Sequence, residues 1–251
     1  MKGGAFGFIP IERTTGGYAL LKKLLASNNQ ILTKTSLIDF QKVNDRFLIS
    51  LQGEKEHVLS VKKLVLATGG YGGKFECTDN FRYSSYVIQD LVIKNGGNVK
   101  NKDSIFIHPF GYNKGKKILI GIESMAGEFL DSKDEFLFEE RLRKMIKENN
   151  YHESFSEILE RVNRITSKGE KIYFVDSKRK LEIKPTVHYT GGGIDADEFG
   201  RVYGIEGLFA IGECRADGSR NGGRLPGYAF TSAIVDGKNI ASILARELYS
   251  A

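Results

Sequence analysis

Apolar positions fall in two rhythms along the chain. In residues 17–27 they recur at helical spacing, with Leu20, Leu21, Leu24 and Leu25 as one stripe, which predicts an amphipathic helix. From residue 31 the rhythm changes to short apolar runs between polar turns. Strands are predicted over 31–40, 46–51 and 58–67, with turns at Asn44-Asp45 and Gly53-Glu54. The last run ends Lys63-Leu64-Val65-Leu66-Ala67, near-continuously apolar as in a buried parallel strand, and stops at Thr68-Gly69-Gly70. A helix is predicted over 84–94, short strands over 105–107 and 117–122, and a charged helical stretch over 135–166 with a break near Asn149-Asn150. A strand over 171–175, a hairpin-like segment over 195–203 and an apolar strand over 208–211 follow. A final helix over about 228–248 would place Phe230, Ile234, Gly237, Ala241, Leu244 and Leu248 on one face. Helices alternating with strands, with a meander inserted, predict an α/β fold carrying a parallel sheet and an antiparallel accessory layer.

Composition narrows the class. The chain has 251 residues, 41% hydrophobic and 27% charged, which is globular chemistry and excludes disorder. Its 29 glycines cluster without a period, so collagen-like repetition is excluded and close backbone approaches are expected. No apolar stretch reaches the ~18–20 residues of a membrane span. Met1-Lys2-Gly3-Gly4 is not a basic region followed by a long apolar core, so no signal peptide is expected. Cys77 and Cys214 make neither a disulfide framework nor a four-ligand zinc site, and a cytoplasmic location is expected. The net charge of +6 is uneven: residues 1–125 carry 18 Lys+Arg against 10 Asp+Glu, and residues 126–251 carry 19 against 21. The lysines are scattered rather than run together, so a solvated basic surface is expected and no nucleic-acid partner.

Four segments carry candidate chemistry. Ala67-Thr68-Gly69-Gly70 ends a buried strand in backbone free of side chains, at the sheet edge where α/β proteins bind ligands. Gly207–Glu213 repeats the pattern and adds a carboxylate at Glu213, suited to accept hydrogen bonds from sugar-like hydroxyls. Arg220-Asn221-Gly222-Gly223-Arg224-Leu225-Pro226-Gly227 runs into the final helix, whose start favours anions, while Arg224 offers a planar fork to a carboxylate. His108 and His188 each follow a strand-like segment and precede a turn. Two such imidazoles with Arg224 would make a site for a dicarboxylate. Each segment alone also has a plain reading: a tight turn, a solvent-facing Glu, a surface loop, a structural His. No third ligand at metal spacing is present, so no metal is expected.

Together and in order, these segments resemble the flavoprotein family of fumarate reductase, succinate dehydrogenase and L-aspartate oxidase. Ala67–Gly70 is similar to its Ala-Thr-Gly-Gly strand end, His108-Pro109 to its His-Pro-Thr motif with Phe110 in place of Thr, and His188-Tyr189-Thr190-Gly191-Gly192-Gly193 to its His-x-Thr-x-Gly-Gly motif. Gly207–Glu213 resembles the family's flavin strand, and Gly223-Arg224-Leu225 its substrate arginine. The resemblance implies a partial FAD-binding, glutathione-reductase-like Rossmann domain over 1–110 and 185–251, with an antiparallel meander and an α+β substrate cap inserted at 111–184. It implies FAD held by Ala67, Thr68, Gly69, Gly70, Gly212, Glu213, Leu225, Gly227, Tyr228, Ala229 and Phe230. It implies a small carboxylate handled by His108, Glu123, His188 and Arg224, with hydride passing to or from the flavin.

The departures from the family are equally specific. No Gly-x-Gly-x-x-Gly turn for the FAD pyrophosphate occurs in the sequence. Ser84-Ser85-Tyr86 lies near the family's Gly-Asp-Gly, Ser156-Glu157 at its cap Arg-Asp pair, and Gly227-Tyr228-Ala229-Phe230 at its Ser-Asn-(Ser/Ala)-Leu. Arg141, Arg143 and Arg161 are the candidates to replace the cap arginine. Two expectations follow: an FAD-dependent oxidoreductase of the succinate/fumarate or L-aspartate type, or a degenerate or split flavoprotein half with a binding or assembly role. In the second, a separate chain supplies the missing N-terminal FAD-binding segment.

Overall fold

The computed structural model describes Lys22, Ala26, residues 30–218 and residues 228–249. The helix expected over 17–27 lies outside these residues apart from Lys22 and Ala26. Two compact units divide at Leu64/Val65. The first holds an antiparallel meander of β1 (Ser36–Val43), β2 (Arg46–Gln52) and β3 (Glu56–Val61), in that order. Asn44 takes the turn between β1 and β2 at φ 56°, a left-handed conformation that Asn tolerates better than most residues. Alternation puts Phe40, Phe47 and Ile49 inside, with the two phenylalanines edge to face at 6.2 Å.

The run expected as one strand over 58–67 is two strands. Polar Lys62-Lys63 separates β3 from β4 (Leu64–Leu66), which pairs with a different partner. In the second unit α1 (Val87–Lys94), β5 (Val99–Lys100), β6 (Ile105–Lys114), β7 (Lys117–Leu119) and β8 (Glu128–Leu130) precede α2 (Glu140–Lys147) and α3 (Phe155–Thr166). Then come β9 (Ile172–Val175), β10 (Lys180–Thr190), β11 (Gly193–Ile194), β12 (Leu208–Ala210) and α4 (Tyr228–Tyr249). The break near Asn149-Asn150 is present, with Asn149 at φ 52°.

The largest sheet is antiparallel, in the order β7-β6-β10-β9-β8. Its core is aromatic. Phe110 stacks on Phe129 at 4.3 Å, and Phe138, Phe174, Ile158 and Val162 are buried beside them. β6 runs well beyond the expected 105–107, although Pro109 lies inside it and Pro185 inside its partner β10. Both prolines fall where the β6–β10 register shifts, between Thr186↔His108 and Lys184↔Gly111, so no ladder N–H is lost. β4 and β12, the two glycine-terminated apolar strands, form their own pair, and Ile211 N–H donates to Leu66 O at 3.0 Å. α4 presents the expected face in part. Ile234, Gly237 and Leu244 are half-buried and Ile240 is buried, whereas Phe230 is 41% exposed and Ala241 is exposed. Asp236 accepts from Gly212 N–H at 3.1 Å and so turns the helix toward the end of β12.

Candidate active site

The strand-end residues converge. Thr190, at the end of β10, donates from both its N–H (2.9 Å) and its hydroxyl (3.1 Å) to Glu213 Oε1. The same hydroxyl accepts from Tyr71 N–H at 3.3 Å. Gly70 lies against this knot, and a methyl on its Cα would come within 2.2 Å of Thr190 Oγ1 and 2.3 Å of Glu213 Oε1. Gly69 is left-handed at φ 76° with open space where a side chain would stand. Thr68 Oγ1 meets the buried Cys214 Sγ at 3.3 Å, so the Ala67–Gly70 and Gly212–Glu213 segments are side by side. Burial pushes the Glu213 carboxyl above its usual range, and the two Thr190 bonds offset part of that.

The two expected histidines also come together, with ring centroids 6.3 Å apart, but their surroundings differ. His108 is 7% exposed, and both its ring nitrogens are engaged. Phe110 N–H donates to Nδ1 at 3.2 Å, so the ring proton sits on Nε2, 3.4 Å from Glu123 Oε1. Tyr151 donates its hydroxyl to the same carboxylate oxygen at 2.9 Å. Burial pushes the Glu123 carboxyl up, yet the His108 and Tyr151 bonds prevail and hold it below the usual glutamate value. The Tyr151 phenol is raised, by burial first and by Glu123 second. His188 is the open member of the pair. Its side chain is 42% exposed, its Nδ1 lies 2.8 Å from Asp79 Oδ2, and its Nε2 has no partner among the described residues.

The three candidate cap arginines separate. Arg141 is exposed and pairs with Glu157 at 2.9 Å, and Arg161 donates to the Leu137 carbonyl. Arg143 lines the same cavity as Glu123, about 10 Å³ in volume, which is room for about one water. Arg143 Nε and Glu123 Oε2 are buried without partners among the described residues. Of the residues expected at the helix start, Tyr228 and Phe230 are exposed, and Ala229 is half-buried. Arg224, Leu225 and Gly227 lie outside the described residues. Sequence reasoning missed Asp79 and Tyr151. Each is a single polar residue without a motif, and each finds its partner only through the fold.

These residues fit one part of FAD. Glu213 Oε2 has no partner among the described residues, and the carboxyl lies against the side-chain-free Gly70, a suitable acceptor for the hydroxyls of a ribityl chain. Among the described residues no group of three or more His, Cys, Asp or Glu could hold a metal, and no helix is long and apolar enough to cross a membrane.

Comparison with known proteins agrees with this reading. A family profile described as "FAD binding domain" matches residues 137–229. L-aspartate oxidase of Pyrococcus horikoshii is 28% identical over 79% of this chain and 45% of its own. The succinate dehydrogenase flavoprotein subunit of Bacillus subtilis is 28% identical over 69% of this chain and 36% of its own. A solved quinol-fumarate reductase with menaquinol molecules superposes with a TM-score of 0.73 at 18% identity, over 91% of this chain and 48% of that one. The chain thus spans about half the length of the relatives it matches. Fold and matches place it in the flavoprotein class, with FAD as the cofactor. Within that class it is similar to L-aspartate oxidases and to succinate dehydrogenase flavoprotein subunits in sequence, and to quinol-fumarate reductase in fold.

Proposed function

We propose that the chain is part of an FAD-dependent oxidoreductase that transfers hydride between flavin and a carboxylate substrate of the succinate/fumarate or L-aspartate type. The observation that carries this reading is the convergence of Ala67–Gly70, Thr190 and Glu213 around one knot, with the open face of His188 nearby in sequence and charge. In this reading residues 1–110 and 185–251 build the glutathione-reductase-like FAD domain and 111–184 the substrate cap. FAD supplies the hydride carrier. Glu213 Oε2 accepts from its hydroxyl chain, and Ala67–Gly70, Gly212, Leu225, Gly227 and Tyr228–Phe230 supply close backbone. His188 Nε2 and the Arg224 fork face the substrate carboxylates. His108, Glu123 and Tyr151 form a buried floor that holds the neighbouring strand ends in register. The location in this reading is the cytoplasm.

A second reading rests on the missing pyrophosphate turn and on the half-length coverage of the relatives. Here the chain is one half of a split flavoprotein, or a degenerate one with an assembly role, and a separate chain carries the Gly-x-Gly-x-x-Gly segment. Titration of FAD onto the chain decides between them, followed by anaerobic addition of succinate or L-aspartate. Bound flavin bleached by either acid supports the oxidoreductase. No bound flavin under any condition overturns it, and flavin bound only with an added N-terminal segment favours the split half.

A further inference from the structure

The two site histidines are held in opposite ways. His108 accepts at Nδ1 from Phe110 N–H and directs its proton at Glu123, so both its nitrogens are engaged inside the protein. His188 turns Nδ1 to Asp79 Oδ2 at 2.8 Å, and its side chain is 42% exposed, so Nε2 on the other edge of the ring is the nitrogen that can meet a ligand. Around this ring stand Phe106 and His108 on β6, with centroids 6.1 and 6.3 Å away, Asp79 on the segment before α1, and Glu213 after β12. Burial raises the Glu213 carboxyl, and the charge of His188 is among the effects that draw it back. Asp79 is fixed by its neighbours. Its N–H donates to Val187 O at 3.3 Å, and the Asn80 amide donates to its Oδ1 at 3.3 Å and to His188 O at 3.1 Å. The Thr78 hydroxyl donates to Val187 O at 2.8 Å, and Val187 N–H returns a bond to Cys77 O at 2.9 Å. The segment 77–80 is thus zipped to the end of β10, and the carboxylate that meets His188 has little freedom. A carboxylate on Nδ1 fixes a proton there and stabilises the imidazolium. A second carboxylate, at Nε2, can be bound only by an N–H, so the ring must then carry a proton on both nitrogens. A ring in that state is a charge-assisted donor to both carboxylates, stronger than a neutral one.

We propose that Asp79 is a positioning residue for substrate binding: it aims His188 and lets the ring take up a proton on Nε2 as a substrate carboxylate docks, so that an imidazolium between two carboxylates grips the acid. This rests on the oxidoreductase reading above and adds to it a proton linkage in binding, not in the chemical step. The proton comes from solvent, which reaches the exposed ring, and returns there when the acid leaves; no bond of the substrate breaks. The grip is the same on the bound acid and on its transition state, so it lowers KM and leaves kcat alone. Affinity for the acid falls as pH rises above the imidazole range, because the ring must then collect its proton from a more dilute supply.

The test uses the full chain with FAD and the probe malonate, a dicarboxylate with one carbon between its carboxyls and so no C–C bond to desaturate. Calorimetric titration at about pH 8, in two buffers of different ionisation enthalpy, is expected to show about one proton taken up per malonate bound. Spectra of 15N-labelled histidine are expected to show His188 gaining its Nε2 proton in the same titration. Asp79→Asn is expected to weaken malonate roughly tenfold and to raise KM for the oxidised acid by a like factor, with kcat within a few-fold of wild type. Asp79→Glu, which keeps the carboxylate, is expected to recover most of the affinity and guards against loss of folding. Malonate that fails to bind, or binds without a proton reaching His188, overturns the proposal. So does an Asp79→Asn variant that matches the wild-type affinity, or one that lowers kcat at unchanged KM. The two readings fail separately. Flavin reduced by succinate or L-aspartate beside a negative malonate result overturns the role of Asp79 and keeps the oxidoreductase. Proton-linked malonate binding with no acid reducing the flavin keeps the role of Asp79 in gripping a carboxylate and overturns the oxidoreductase.

Discussion

Gly70 shows how tightly the strand ends are fitted. A methyl there would sit 2.2 Å from Thr190 Oγ1, inside a knot of hydrogen bonds that cannot shift far. Gly70→Ala is expected to cost about 1–3 kcal/mol in urea unfolding and to weaken FAD binding in titration. At Glu123 two donors meet one buried carboxylate oxygen. Tyr151→Phe removes one of them and is expected to cost about 1–3 kcal/mol, read from the shift in urea midpoint. The folded-state value of Glu123 lies below the ordinary 4.5, so its stabilisation is complete above that pH and is lost as pH falls through the folded value. The stability gap between wild type and Glu123→Gln is therefore expected to shrink below about pH 4, measured by urea unfolding across an acid series. At this scale the sequence marked His108, Glu123 and His188 by residue type and local motif. Tyr151 and Asp79 carry no such mark, because each matters only through a partner 28 or 109 residues away.

Elements were legible where apolar rhythm was clean. The meander, the two glycine-terminated strands and the break at Asn149-Asn150 all follow from local pattern. β10 did not stand out, because its exposed positions carry Lys180, Lys184 and His188 and Pro185 interrupts the run. β6 was expected over 105–107 alone, and only its register with β10 shows that Pro109 can lie inside it. The buried side of α4 is shifted from the expected one at Phe230 and Ala241, and Asp236, a charged residue, points at Gly212 rather than at solvent. At the end of β4, Tyr71 donates its hydroxyl to Lys102 O at 2.8 Å, and burial pushes its phenol from 10.0 up to about 12. A raised value means that this stabilisation is full below pH 10 and is lost as pH climbs from about 10 to 12. Tyr71→Phe is expected to flatten that alkaline loss, followed by circular dichroism over the same range. In the aromatic core of the five-stranded sheet, Phe174→Ala is expected to cost about 3–5 kcal/mol in the same unfolding measurement.

For the whole molecule the informative experiment is FAD itself. A ligand that binds only the folded chain raises its melting temperature with concentration. Added FAD is expected to raise the Tm progressively, and a flat response would count against a flavin site on this chain. The basic first half carries 18 Lys+Arg against 10 Asp+Glu, and it adds attraction for an anionic cofactor but no specificity. The sequence by itself determined the order of the strand-end motifs and, through their resemblance to flavoproteins, the cofactor class. Those features are local: an apolar strand followed by bare glycine reads the same in any context. Only the tertiary structure decided which histidine is buried and which stays exposed, that Gly70 closes on Thr190 and Glu213, and that Asp79 holds His188. These are contacts between positions distant in the chain, set by strand register and side-chain packing, which local pattern does not encode.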